Sequence, residues 1–198
     1  RGLDLLGERW TLLILRELSI DEQRFTDLRR ALKGIAPNLL SDRLTQLQEE
    51  GLVEQAELPP PAARTVYRLT DEGLRVVPVI RAVGRFGGRY LPEDPDPEVP
   101  LRRTLIALLA PWTRREALVG DGGRFVLEVD GERVLVQVGE RRTDVQPAGA
   151  DLDDVDPVLV TTAKALGAAR RTDEPLAAEV LDRAAAERFA DAFALTLG

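Results

Sequence analysis

Between Leu91 and Pro100 the chain reads Leu-Pro-Glu-Asp-Pro-Asp-Pro-Glu-Val-Pro, and prolines packed this closely mark the clearest boundary in the sequence. Proline lacks an amide hydrogen and clashes with the preceding helical turn, so this segment can neither continue a helix nor pair as a central strand. Its interleaved acids favour an extended, hydrated linker. The chain of 198 residues therefore divides into residues 1–91, a Pro-rich linker over 92–100, and residues 101–198.

Charge obeys the same boundary. The net charge of −7 argues against a nucleic-acid partner until it is apportioned. Residues 1–91 carry 14 basic and 13 acidic side chains, whereas residues 92–198 carry 13 and 21. The acidity belongs to the second half, which leaves the first free to approach a polyanion.

Cysteine and histidine are both absent. That removes disulfides, thiolate nucleophiles, the commonest general base and the usual zinc ligands. The expectation is a non-enzyme with no catalytic residue, cofactor or metal. Asp151, Asp153, Asp154 and Asp156 cluster, but without the glycine and terminal glutamate of a calcium loop they read as a solvated acidic loop. No apolar run approaches the about 18 residues of a membrane span, and no secretory leader is seen, so a cytoplasmic, nucleoid-associated protein is expected. With no methionine and Arg1 in first place, the stretch reads as part of a longer protein.

Apolar periodicity orders the first half. Leu3, Leu6, Trp10, Leu13, Ile14 and Leu18 recur at three- and four-residue steps, predicting one opening helix with a buried stripe. A short second helix is predicted from Thr26, as its cap, to Leu32, and Gly34 breaks the chain. Pro37 suits a first helical position, and the third helix runs from it to about Glu50, stopped by Gly51. Strands near Leu52–Leu58 and Thr65–Leu69 flank a turn at Pro59-Pro60-Pro61, and Thr70-Asp71-Glu72 open a final helix bearing Leu74, Val77, Ile80, Val83 and Phe86.

The third helix carries the functional argument. Leu40, Leu44 and Leu47 share one face and should pack inward. The opposite face then presents Asn38, Ser41, Asp42 and Thr45, with Arg43 and Gln46 on its flanks. Short hydrogen-bonding side chains of this kind can approach base edges in a major groove. A solvated surface helix can look the same, but the order short helix, glycine turn, amphipathic helix, hairpin is that of a helix-turn-helix with a wing. Arg64 at the hairpin tip is placed to reach phosphate or a minor groove. Arg24, Arg29, Arg30 and Lys33 flank the second helix and suit either the phosphate backbone or plain solubility, and Thr26 joins Arg24 as a candidate contact.

Several runs resemble the HxlR-type transcriptional regulators. They are Leu3-Asp4-Leu5-Leu6-Gly7-Glu8-Arg9-Trp10 and its continuation to Leu18, Arg24-Phe25-Thr26-Asp27-Leu28, Pro37-Asn38-Leu39-Leu40-Ser41-Asp42-Arg43-Leu44, Gly51-Leu52-Val53, and Tyr67-Arg68-Leu69-Thr70-Asp71-Glu72-Gly73. The resemblance implies a homodimer built on the first and last helices, with helix 37–50 in the major groove of double-stranded DNA and the wing near 59–64 touching it. Ala36 departs from the serine or threonine usual before the proline. The N-terminal segment in which some relatives carry a sensing cysteine is absent, so no thiol switch is implied.

The second half is expected to be a smaller α+β domain, giving an α+β fold overall. A helix is predicted over Leu101–Leu109, extending toward Leu118, with strands at Arg124–Val129 and Arg133–Val138 joined by the Asp130-Gly131 hairpin signal. A strand at Val158–Thr161 and helices over Thr162–Ala169 and Pro175–Leu197 complete it. Gly123–Glu132 and Pro157–Thr162 resemble pieces of sterol-carrier-protein-like domains, which implies a cavity for a small hydrophobic ligand. Trp112, Phe125, Leu127, Val134, Val136, Phe189 and Phe193 are its candidate lining, although each suits an ordinary core better. The expectation is a dimeric DNA-binding regulator modulated through its tail. The competing readings are a lipid-binding or transfer protein whose head only dimerises, and an interaction scaffold.

Overall fold

In the computed structural model, which describes residues 1–58, 64–118, 123–139, 142–152 and 154–198, the opening apolar stripe is divided at Gly7. Helix α1 (Gly2–Leu6) ends where the Gly7 amide donates to Leu3 O at 2.7 Å, and α2 (Thr11–Ile20) starts afresh after the turn. The expected single helix is thus two. Leu3, placed in the stripe by its spacing, is 84% exposed, while Ile14, Leu15 and Leu18 supply the buried face.

Helix α3 (Phe25–Ala31) begins one residue before Thr26, which therefore does not cap it. The cap position is Arg24, with no side-chain bond. The cause lies upstream: Gln23 exchanges backbone hydrogen bonds with Tyr67 at 3.0 and 2.8 Å, which holds the chain extended up to Arg24. Gly34, at φ +93°, reverses the chain in a conformation that side chains resist. Helix α4 (Pro37–Glu49) follows, with Pro37 in the first turn and Ala36 as an uncapped start.

Strands β1 (Val53–Leu58) and β2 (Arg64–Leu69) pair antiparallel, Val53 opposite Leu69 and Leu58 opposite Arg64. The expected turn at Pro59-Pro60-Pro61 lies outside the described residues. Cross-strand pairs stitch both faces of the hairpin: Arg68 to Glu54 at 2.7 Å on one, and Gln55 to the Tyr67 hydroxyl at 2.8 Å and Thr65 to Glu57 at 2.5 Å on the other. Thr70 caps α5 (Asp71–Leu74) through the Gly73 amide and donates its hydroxyl to Gly51 O, tying the helix start to the end of α4.

The final helix also comes in two pieces, with α6 (Val77–Gly87) separate from α5. Pro78 has no amide hydrogen to continue a helix and belongs in a first turn, while Val76 turns into the core at the break. One apolar cluster holds the first unit, Arg1–Ile80, together. In it Leu40, Leu44 and Leu47 of α4 meet Ile14, Leu15 and Leu18 of α2 and Leu28 of α3.

The second unit, Arg81–Gly198, is a five-stranded sheet backed by helices. Helix α7 (Leu101–Leu109) does not extend toward Leu118, because Pro111 follows and the chain tightens into a short 3-10 turn at Ala110–Trp112. Strands β3 (Arg124–Val129) and β4 (Glu132–Val138) form the expected hairpin, with Asp130 and Gly131 both at positive φ. After β5 (Thr143–Pro147) and β6 (Leu159–Thr161) come α8 (Ala163–Thr172), β7 (Glu179–Val180) and α9 (Arg183–Phe193). The strand order is β5-β4-β3-β6-β7, antiparallel except for β3 beside β6.

The helix expected over 175–197 therefore occupies only its second half. Upstream of Asp182 distant carbonyls take the amides: Leu176 N donates to Thr196 O at 2.7 Å in an isolated bridge, and Leu181 N to Val158 O at 3.1 Å beside β6. The proline-acid segment lies against this unit, with Lys164 of α8 pairing with Asp94 at 2.6 Å and Arg171 donating to Pro92 O at 2.8 Å. No helix among the described residues is long and apolar enough to cross a membrane.

Candidate nucleic-acid interface

Helix α4 is set by its leucines. Leu40, Leu44 and Leu47 are 0, 1 and 2% exposed, so the rotation of the helix about its axis is fixed by burial. Asn38, Ser41, Asp42 and Thr45 emerge on the opposite face, all exposed. Asn38 lies three and four residues before Ser41 and Asp42, and Thr45 four and three after them, so the four form a continuous polar ribbon that starts in the first helical turn. These four side chains thus share one side of one helix.

Arg43 and Gln46 sit elsewhere. The Arg43 guanidinium donates to Gln46 Oε1 at 2.6 Å and to Glu8 Oε2 at 2.8 Å, with its side chain only 22% exposed. Both residues are half-buried and turned toward the α1–α2 turn, so α4 presents no arginine on its polar ribbon. Glu8 is the member of this cluster that sequence reasoning missed. Its only visible signal is its place in the Leu-Gly-Glu-Arg-Trp run, which says nothing of a partner on α4.

The cations lie to the side. Arg24, at the start of α3, is exposed together with Thr26 and Arg29. Arg30, also exposed, pairs with Asp27 at 3.5 Å. Arg64 opens β2 and is exposed beside the hairpin turn. Short polar groups form the centre of the surface, and basic side chains stand on the neighbouring helix and on the hairpin.

In the second unit, Phe125, Leu127, Val134, Val136, Phe189 and Phe193 are all at most 4% exposed. The rings of Phe125, Phe189 and Phe193 meet at centroid separations of 4.9 to 6.3 Å, filling the layer between sheet and α9. Phe125 also borders an open groove of about 830 Å³, shared with Leu118, Val126, Leu135, Val158, Ala185 and Arg188. Trp112 lies apart from that cluster, beneath Arg170, whose guanidinium stacks over its ring at 4.4 Å. Arg170 also donates to Leu108 O, Phe193 O and Ala194 O at 2.9, 2.8 and 3.1 Å, satisfying carbonyls near the ends of α7 and α9. Burial pushes its guanidinium down to about 10. Asp153 lies outside the described residues, and among the described ones no acidic group is arranged to hold a metal ion.

The HxlR-like helix-turn-helix family matches residues 5–95. Over 102 residues the chain is 42% identical to an HTH-type transcriptional regulator of Mycobacterium tuberculosis, across 52% of this chain and 64% of that one. It thus spans a little under two thirds of that relative. It is 31% identical over 91 residues to YvaP, an HTH-type transcriptional regulator of Bacillus subtilis, across 46% of this chain and 84% of YvaP. Among solved structures, a MarR-family transcriptional regulator of Porphyromonas gingivalis shares 32% identity over 46% of this chain and 88% of that one, with a TM-score of 0.42. The match over residues 5–95, and the share of YvaP that the chain covers, make it a member of the HxlR-like helix-turn-helix family of transcriptional regulators.

Proposed function

We propose that the chain is a DNA-binding transcriptional regulator that acts as a homodimer and sets α4 of each copy into the major groove of a half-site. The observation that carries this reading is the polar ribbon Asn38, Ser41, Asp42, Thr45, held outward by three leucines that are almost wholly buried. Two such helices would address half-sites about 34 Å apart. Arg24, Thr26 and Arg64 serve the phosphate backbone, which positions the protein without reading sequence. The pairing surface is α6, whose Val79, Val83 and Phe86 are exposed at 44, 53 and 72% along one side of the helix.

The test is binding to a duplex selected from a random pool, followed across a salt series. Affinity should fall steeply as salt rises, because neutralised phosphates release counterions. Asn38→Ala and Ser41→Ala should weaken the selected duplex about ten-fold while leaving random DNA unchanged. Arg64→Ala should weaken both alike and lower the salt slope by about one. A chain that enriches no duplex at any salt is not a DNA-binding regulator.

The groove beside Phe125 leaves room for a second, compatible role for the tail, the uptake of a small hydrophobic ligand that modulates the head, and since Arg124, Asp156, Asp182 and Arg188 also line it, such a ligand would carry a polar end. The same groove is what a lipid carrier with a merely dimerising head would use. Vesicle extraction without any duplex binding would select that alternative.

A further inference from the structure

We propose that Asp42 is a base-reading residue and that it selects a cytosine in each half-site. The inference rests on the reading of α4 as a recognition helix and specifies what that helix reads. Of the two side chains on α4 charged at neutral pH within reach of the ribbon, Arg43 is engaged by Glu8 and Gln46 at 2.8 and 2.6 Å. Asp42 is exposed, with no hydrogen bond or ion pair among the described residues. The ribbon therefore offers acceptors and small donors but no guanidinium, so the commonest base contact, arginine on guanine O6 and N7, is not available from it.

A carboxylate at this place has one good partner on a base edge. In the major groove cytosine presents an amino donor at N4, and a carboxylate accepts from it, whereas guanine and thymine oxygens facing the same group would repel it, and the amino group of adenine at N6 stands beside the N7 acceptor, which repels the second carboxylate oxygen. Asp42 lies one turn from both Asn38 and Thr45, in the N-terminal half of the helix, which is the part that contacts bases in helix-turn-helix docking. The exposed Arg24, Arg29 and Arg30 next to α4 offset the approach of a carboxylate to the phosphate chains. Asn38, which can pair bidentately with adenine N6 and N7, supplies a second specific contact one turn away.

Random-pool selection with the full chain and with Asp42→Asn and Asp42→Ala tests the assignment. The unaltered chain should enrich cytosine at one position of each half-site. Asp42→Asn should enrich adenine there and lose about ten-fold on the original duplex, and Asp42→Ala should accept any base at that position. Identical sequences selected by all three proteins would overturn the proposal. So would a uniform gain in affinity on every duplex, which would make Asp42 only a charge that repels phosphate. If the unaltered chain enriches nothing, the regulator reading fails as well, which is a different result from enrichment that ignores residue 42. Because Asp42 is exposed, matching circular dichroism spectra and melting curves for the three proteins confirm that recognition alone has changed.

Discussion

Two arginines show how little residue type says about residue role. Arg170 stacks on Trp112 and serves three carbonyls from inside the second unit, while Arg43 is drawn off α4 by Glu8. Replacing Arg170 with methionine fills similar space but leaves those carbonyls unpaired. We expect a loss of about 3 kcal/mol or more in urea unfolding of the second unit. Arg170→Lys should recover little, since an ammonium cannot fork to three acceptors or stack flat on the indole. A melting curve matching that of the unaltered chain would show the network to be dispensable. Neither assignment could be read from the chain alone. Glu8 and Arg43 stand 35 residues apart, and Arg170 lies 62 residues from Leu108. Periodicity reports which way a side chain faces, not which distant group waits there. Asn38, Ser41 and Thr45 were legible because only local geometry decides them.

At the scale of elements, α4 was legible almost to its ends, since three leucines, an initiating proline and a terminating glycine agree. Leu44→Ala should cost about 2–5 kcal/mol of the first unit's stability, measured by denaturant titration, because a fully buried side chain leaves a cavity. It should also blunt discrimination between DNA sequences, as the helix loses the packing that sets its rotation. A cost below 1 kcal/mol, roughly that of a surface change, would contradict the rigid seating of α4. Elements were misread where tertiary hydrogen bonds decided the outcome. Gln23 pairs with Tyr67 and so moved the start of α3, and the amides of Leu176 and Leu181 were taken by partners more than ten residues away, replacing half of an expected helix. Strand β5 alternates Thr143, Asp144, Val145, Gln146, but five residues ending at a proline give too short a pattern to separate from a loop.

For the whole molecule, the exposed stripe on α6 makes a prediction about assembly. Phe86→Asp should turn the proposed dimer into a monomer in sedimentation and reduce affinity for a duplex with two half-sites. Affinity for a single half-site should stay as it was. A variant that still sediments as a dimer would move the pairing surface elsewhere.

The two units also differ in how far apart in the chain their partners lie. In the first, the hairpin strands are neighbours, although α2 also packs on β2 and Gln23 pairs with Tyr67. In the second, Leu127 must find Leu159 across a parallel pairing, and Arg170 must wait for Phe193 and Ala194. Distant pairings of this kind cost loop closure before they return anything, and they slow folding. On a ribosome the first unit can be complete while much of the second is still unmade. The second cannot close until the chain has been read almost to Leu197, the partner of Leu176.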